Sequence, residues 1–241
     1  MGLCFILTGH YLNLIVFTSL ILTHELGHYL TATILKFNVD KIIIYPYGGI
    51  TKINDLINRD INEELLIATS GIIFQFMFFI LIYILYKYNL IREYTFNLYT
   101  IYNNRMIFFN LLPIYPLDGS KIINLLFQKI FNYNLSNKLI IIISISTIIL
   151  LILLNIYKFN YSNIMIYSIL FGYIYDLFKK RKYLYNRFLL ERYLYNIKYK
   201  KIKIINRYDK MYKNKSHIIY NDKKYIEESK YLKMIFSSKI S

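Results

Sequence analysis

Residues 12 to 35 read LNLIVFTSLILTHELGHYLTATIL, an apolar run interrupted only by His24, Glu25 and His28. Its length suits a helix that crosses a bilayer in ~20 residues, and it is too long for the core of a signal peptide. Within it, His24-Glu25-Leu26-Gly27-His28 is an H-E-x-x-H pattern. On a helix, positions four apart are separated by roughly 400°, so the two imidazoles lie one turn apart within ~40° of the same direction and can address one metal ion. Glu25 is offset by ~100° from His24 and by roughly 60° from His28, which suits a general base facing a metal-polarised water. Ionisable groups near a bilayer centre cost roughly 2.5–3.5 kcal/mol each on insertion scales, so their presence there calls for a function. A polar cluster that only knits helices together would leave Glu25 in need of a partner in lipid.

The rest of the 241 residues agrees with a lipid-embedded body: 56% are hydrophobic, and the mean hydropathy is +0.34. The net charge of +16 at first suggests a nucleic-acid binder, but from Lys179 onward 19 Lys and Arg face only 5 Asp and Glu, which leaves the apolar part close to neutral. Basic segments beside membrane spans stay on the cytoplasmic side and attract anionic headgroups. The expected partner of the basic tail is therefore anionic lipid, with no nucleic acid, and the C-terminus is expected in the cytosol. Cys4 is the one cysteine, so neither an intrachain disulfide nor a cysteine metal cluster can form.

Along the chain, Tyr45-Pro46-Tyr47-Gly48-Gly49 separates two β-prone runs and predicts a short hairpin over 41–53. A second span fits 65–86, entered through Asn62-Glu63-Glu64, whose charges suit a helix N-terminus. The apolar region 95–130 holds Pro113, Pro116 and Gly119 and is expected to break. Further spans are expected at 139–156 and 164–177, ending in the basic run 179–182. The fold class read from this pattern is membrane all-α, a polytopic helical bundle of about five transmembrane elements with a short β-hairpin or re-entrant loop after the first of them. Residues 1–178 form the membrane-embedded domain and 179–241 a basic cytosolic tail whose fold is not legible.

Two histidines leave a catalytic zinc site one protein ligand short. Asp118 is the acid that sits inside an apolar region on a proline and glycine break, where irregular backbone can aim a carboxylate into a polar cavity. It is the expected third ligand. His10 and His217 are read as surface or interface residues, and Asp176 as a solvated partner of the basic run.

These residues resemble the site-2 protease family of intramembrane zinc metalloproteases, which pairs a membrane-embedded H-E-x-x-H with a distant N-x-x-P-x-x-P-x-D-G motif. Here the second motif is Asn110-Leu111-Leu112-Pro113-Ile114-Tyr115-Pro116-Leu117-Asp118-Gly119. Pro46-Tyr47-Gly48-Gly49, Ser70-Gly71-Ile72-Ile73-Phe74-Gln75 and Arg187-Phe188-Leu189-Leu190-Glu191-Arg192-Tyr193 are similar to the sporulation branch of that family. The resemblance implies one Zn2+ on His24, His28 and Asp118, water activation by Glu25, and contact of Asn110, Gly48 and Gly49 with an extended substrate. It also implies a membrane-associated protein substrate, a sporulation sigma-factor precursor like pro-sigma-K, and inhibitory membrane-protein partners. A general site-2 protease of regulated intramembrane proteolysis and a catalytically silent membrane scaffold remain the alternatives. The family's further N-terminal span is expected to be shortened or missing, and its cytosolic regulatory domain is not evident after residue 195.

Overall fold

The computed structural model describes residues 9–45, 48–154, 161–221 and 224–237. The chain is mostly helical and divides into two compact units, Met1–Asp55 with Leu65–Leu111, and Leu56–Glu64 with Leu112–Ser241. Pro46, Tyr47 and residues 155–160, where the expected hairpin turn and the end of the expected 139–156 span fall, lie outside the described residues.

The first unit begins with α1 (Tyr11–Ile34), followed by an antiparallel hairpin of β1 (Val39–Tyr45) and β2 (Gly48–Ile53). Helix α2 (Ile61–Lys87), whose body lies in this unit, and α3 (Glu93–Leu111) complete it. Glu63 and Glu64 fall in the first turn of α2, where negative charge complements the helix dipole. Val16 and Leu20 of α1, Ile82 of α2 and Tyr99 of α3 form one buried cluster; Ala32, Phe37 and Ile67 form another at the far end of α1. Ile15, Leu22 and Leu26 of α1, and Ile73, Phe76, Met77 and Ile80 of α2, are exposed. A water-soluble helix would turn such residues inward, whereas a helix that is apolar on every face suits hydrocarbon.

The second unit carries the proline break and the helices after it. Residues 112–117 turn sharply, with Ile114 fully buried and Ser144 Oγ both donating to Pro113 O (3.2 Å) and accepting from the Tyr115 N–H (3.1 Å). The chain then forms α4 (Asp118–Ile130), α5 (Tyr133–Leu154) and α6 (Tyr161–Tyr195). Among the described residues, α2 and α5 are the helices long and apolar enough to cross a membrane.

Helix α6 continues without a break through the basic run to Tyr195. Beyond it stands a three-stranded sheet of β3 (Ile202–Ile205), β4 (Ser216–Asn221) and β5 (Lys224–Glu227), with β3 parallel and β5 antiparallel to β4, closed by α7 (Glu228–Ser237). Ile205, Ile219, Met211 and Leu232 pack on Tyr185, Phe188 and Leu189 of α6 and on Tyr133, whose ring stacks on Phe188 at 4.5 Å.

His217 corrects its sequence reading: it is 2% exposed. Its Nε2 accepts from the Tyr212 N–H (2.9 Å), so Nδ1 carries the proton and donates to Glu228 Oε2 (3.0 Å). The buried Arg192 guanidinium also meets Glu228, and Asn58 donates to Glu191 Oε2 at 3.1 Å. Burial pushes the His217 imidazole below its ordinary value, against the opposing pull of Glu228. Burial tends to raise the Glu228 carboxyl, but the hydrogen bonds from His217 and Arg192 outweigh it and hold the group low. Asp176 pairs with Lys180 at 2.8 Å in solvent, as the sequence suggested.

Candidate metal centre and peptidase site

All three polar residues of the H-E-x-x-H pattern are buried on α1: His24 is 2%, Glu25 5% and His28 5% exposed. What lets them sit there is a close crossing of α1 and α2. A Cβ added at Gly27 would stand 2.7 Å from Ser70 O and 2.9 Å from Phe74 Cβ. One added at Gly71 would stand 2.7 Å from His28 Cε1 and 2.8 Å from His24 Cε1. Small residues that let backbones approach are the usual means of packing helices in lipid. At this crossing they bring the α2 backbone against both imidazole rings.

The ring nitrogens are sorted by their partners. His28 Nδ1 lies 2.7 Å from Ile67 O, a carbonyl that can only accept, so Nδ1 carries the proton. His24 Nδ1 lies 3.1 Å from Gln75 Oε1, which imposes the same tautomer. Each Nε2 is then a lone-pair donor to a metal, and the two Nε2 atoms face each other at 3.2 Å. Two lone pairs turned toward one point suit a cation between them, so this pair fits a metal ion. A second histidine nitrogen bonded to carbonyl oxygen is the usual support of a metal ligand.

Glu25 is held from the hairpin. Thr51 Oγ1 donates to Glu25 Oε2 at 2.8 Å, and a Cβ at Gly49 would stand 2.7 Å from Glu25 Cδ and 2.8 Å from Oε1. Strand β2 therefore lies directly over the carboxylate. Asn110, near the end of α3, has its Nδ2 3.4 Å from His24 Nε2, and Gly48 opens β2. Asp118 is the first residue of α4, 4% exposed, with its Oδ1 paired to Lys121 Nζ at 2.8 Å.

Sequence reasoning picks out the residues that carry charge or a motif and misses those that steer them. Thr51 gives no signal in a hairpin strand, and Gln75 enters only within a string of resemblance. A polar residue in a long apolar helix is the available clue for Gln75.

Helices, hairpin and histidine pair together form a buried, metal-ready polar centre, and residues 12–94 match the family model for Peptidase family M50. That match covers about a third of the chain, and the proteins it is similar to elsewhere include a site-2 protease. It is 33% identical over 134 residues to stage IV sporulation protein FB of Bacillus subtilis (strain 168), covering 56% of this chain and 46% of that protein. It is 29% identical over 152 residues to zinc metalloprotease MJ0392 of Methanocaldococcus jannaschii, covering 62% and 44%. The chain thus spans less than half the length of these curated relatives. Among solved structures, the site-2 protease from Methanocaldococcus jannaschii shares the fold, with a TM-score of 0.56 and 23% identity over 68% of this chain and 76% of that one.

Proposed function

We propose that this chain is an intramembrane zinc metalloendopeptidase that hydrolyses a peptide bond in or next to the membrane. The observation that carries the reading is the buried histidine pair, with both Nδ1 protons taken by carbonyl oxygens and both Nε2 atoms turned together. Asp118 is the third ligand in this reading. Its support is its place in the second family motif and its burial. A carboxylate has two oxygens, so the Lys121 pair at Oδ1 is compatible with ligation through Oδ2.

Bound Zn2+ would supply a Lewis acid that polarises the scissile carbonyl and acidifies water. Glu25 takes the proton of the attacking water and returns it to the leaving amine. Thr51 holds one Glu25 oxygen by its hydroxyl and so fixes the direction of the other. The β1–β2 hairpin offers backbone groups to which an unwound substrate strand can add, with Gly48, Gly49 and Asn110 in contact with it. The low exposure of Glu25 excludes bulk water from the proton it moves.

The sequence strings similar to the sporulation branch, together with a relative that is named a sporulation protein, favour a sigma-factor precursor of the pro-sigma-K kind as substrate, with inhibitory membrane proteins as regulators. The same reading makes residues 1–178 a multi-pass membrane domain and 179–241 a cytosolic region whose basic charge meets anionic lipid.

Two variants test the core of it. Glu25→Gln should keep about one zinc per chain and lose cleavage of a co-expressed precursor, while Asp118→Ala should lose the zinc. Undiminished cleavage by the Glu25 variant, or no stoichiometric zinc in the parent chain, would sink the proposal.

A further inference from the structure

The His24 tautomer depends on which way the Gln75 amide faces, and Gln75 cannot decide that alone. An amide turned end over end would present its NH2 to His24 and force the proton onto Nε2, where the metal must bind. Gln75 is fully buried, so water does not set its orientation. What it meets on its other side is Asn103 of α3, itself 2% exposed. Gln75 Nε2 donates to Asn103 Oδ1 at 3.0 Å and to the Asn103 backbone O at 3.3 Å. The backbone oxygen accepts only and biases the NH2 end of Gln75 toward Asn103; the shorter bond to the side-chain Oδ1 completes that hold and leaves the Gln75 oxygen to His24.

We propose that Asn103 is a positioning residue for the metal centre: acting through Gln75, it fixes His24 as the Nδ1-protonated tautomer and keeps Nε2 open to the ion. The role rests on the metal-site reading above, but it extends the ligand support a layer beyond the groups that touch the histidines. It differs from an interhelical hydrogen bond that only ties α2 to α3, because it predicts an effect on the state of one imidazole. Outer partners of metal-bound histidines typically alter affinity by about 10–100-fold when removed. Gln75→Leu should reach that range. Asn103→Leu should fall short of it, because the backbone oxygen stays, and should add nothing once Leu stands at position 75.

The test is made on the full-length protein in lipid with 15N-labelled histidine, using a His24→Gln variant to assign the signal. In the metal-free parent the His24 ring should be protonated at Nδ1; in Asn103→Leu and in Gln75→Leu the proton should spread to Nε2. Zinc affinity, measured by chelator competition, should fall in both single variants, and the double variant should match Gln75→Leu. Asn103→Ser removes the amide with less change in volume and should shift the tautomer in the same direction if the leucine variant does not fold. An unchanged His24 tautomer in the Asn103 variants, or losses of affinity that multiply in the double variant, overturns the relay. Because the tautomer is read without metal, a parent chain that fails to bind zinc counts against the proposed enzyme and not against Asn103.

Discussion

At the scale of single residues, the site depends on atoms that are missing. Gly71 carries no Cβ, and both imidazoles occupy the space where one would be. Replacing it with alanine adds one methyl group, but that methyl has rigid neighbours: a ring on one side and its own helix on the other. Gly71→Ala is expected to push α2 off α1, lower zinc occupancy by at least tenfold and leave the helical circular dichroism nearly unchanged. Zinc analysis beside the spectrum checks it. The chemistry-bearing residues here were legible from the sequence because H-E-x-x-H fixes its own geometry by helical periodicity. The partners were not, because Thr51, Gln75 and Asn103 come to the site from three elements distant in the chain, and the one local clue, a polar Gln75 in an apolar helix, does not say what it touches.

At the scale of elements, the long helices and the break at Pro113 and Pro116 follow from apolar length and from the proline restrictions, so sequence bounds and structure agree closely for α1, α2 and the turn before α4. The sheet after α6 was not legible. Its strands are four to six residues long, and the parallel pairing of β3 with β4 joins residues fourteen apart, such as Ile205 and Ile219. Short strands set among lysines, such as Lys203 in β3 and Lys224 in β5, read as a solvated tail until their partner surface on α6 is known. That surface is secured by Arg192, whose fully buried side chain meets Glu228 and donates to the carbonyl of Lys215. Removing one member of a buried ion pair leaves the other uncompensated, so Arg192→Ala should destabilise this subdomain by about 3–5 kcal/mol. Hydrogen exchange at the amides of Ile218 and Ile219 would report it, with α2 as the internal reference.

At the scale of the whole molecule, the response to acid is built into the histidine–carboxylate pair of the C-terminal subdomain. The C-terminal subdomain folds around a neutral His217 and an ionised Glu228, both of which bind protons less readily when folded than when unfolded. As pH falls below the His217 reference of 6.5, the unfolded chain takes up a proton that the folded chain refuses, and stability begins to drop. Glu228 adds a second loss once pH passes below 4.5. Above pH 6.5 neither group contributes a slope. Exchange protection in β4 should therefore decline from pH 6.5 downward, and a His217→Gln variant should abolish the first part of that decline.

The paired glycines of the α1–α2 crossing also bear on how this protein can change over generations. Glycine is the smallest residue, so at positions 27 and 71 every mutation enlarges the side chain and none relaxes the fit. Variation there runs in one direction, toward a wider crossing with the α2 backbone pushed away from the imidazole rings. A lineage can give up the chemistry of this site in one codon change, and the way back is the single reversal of that same change.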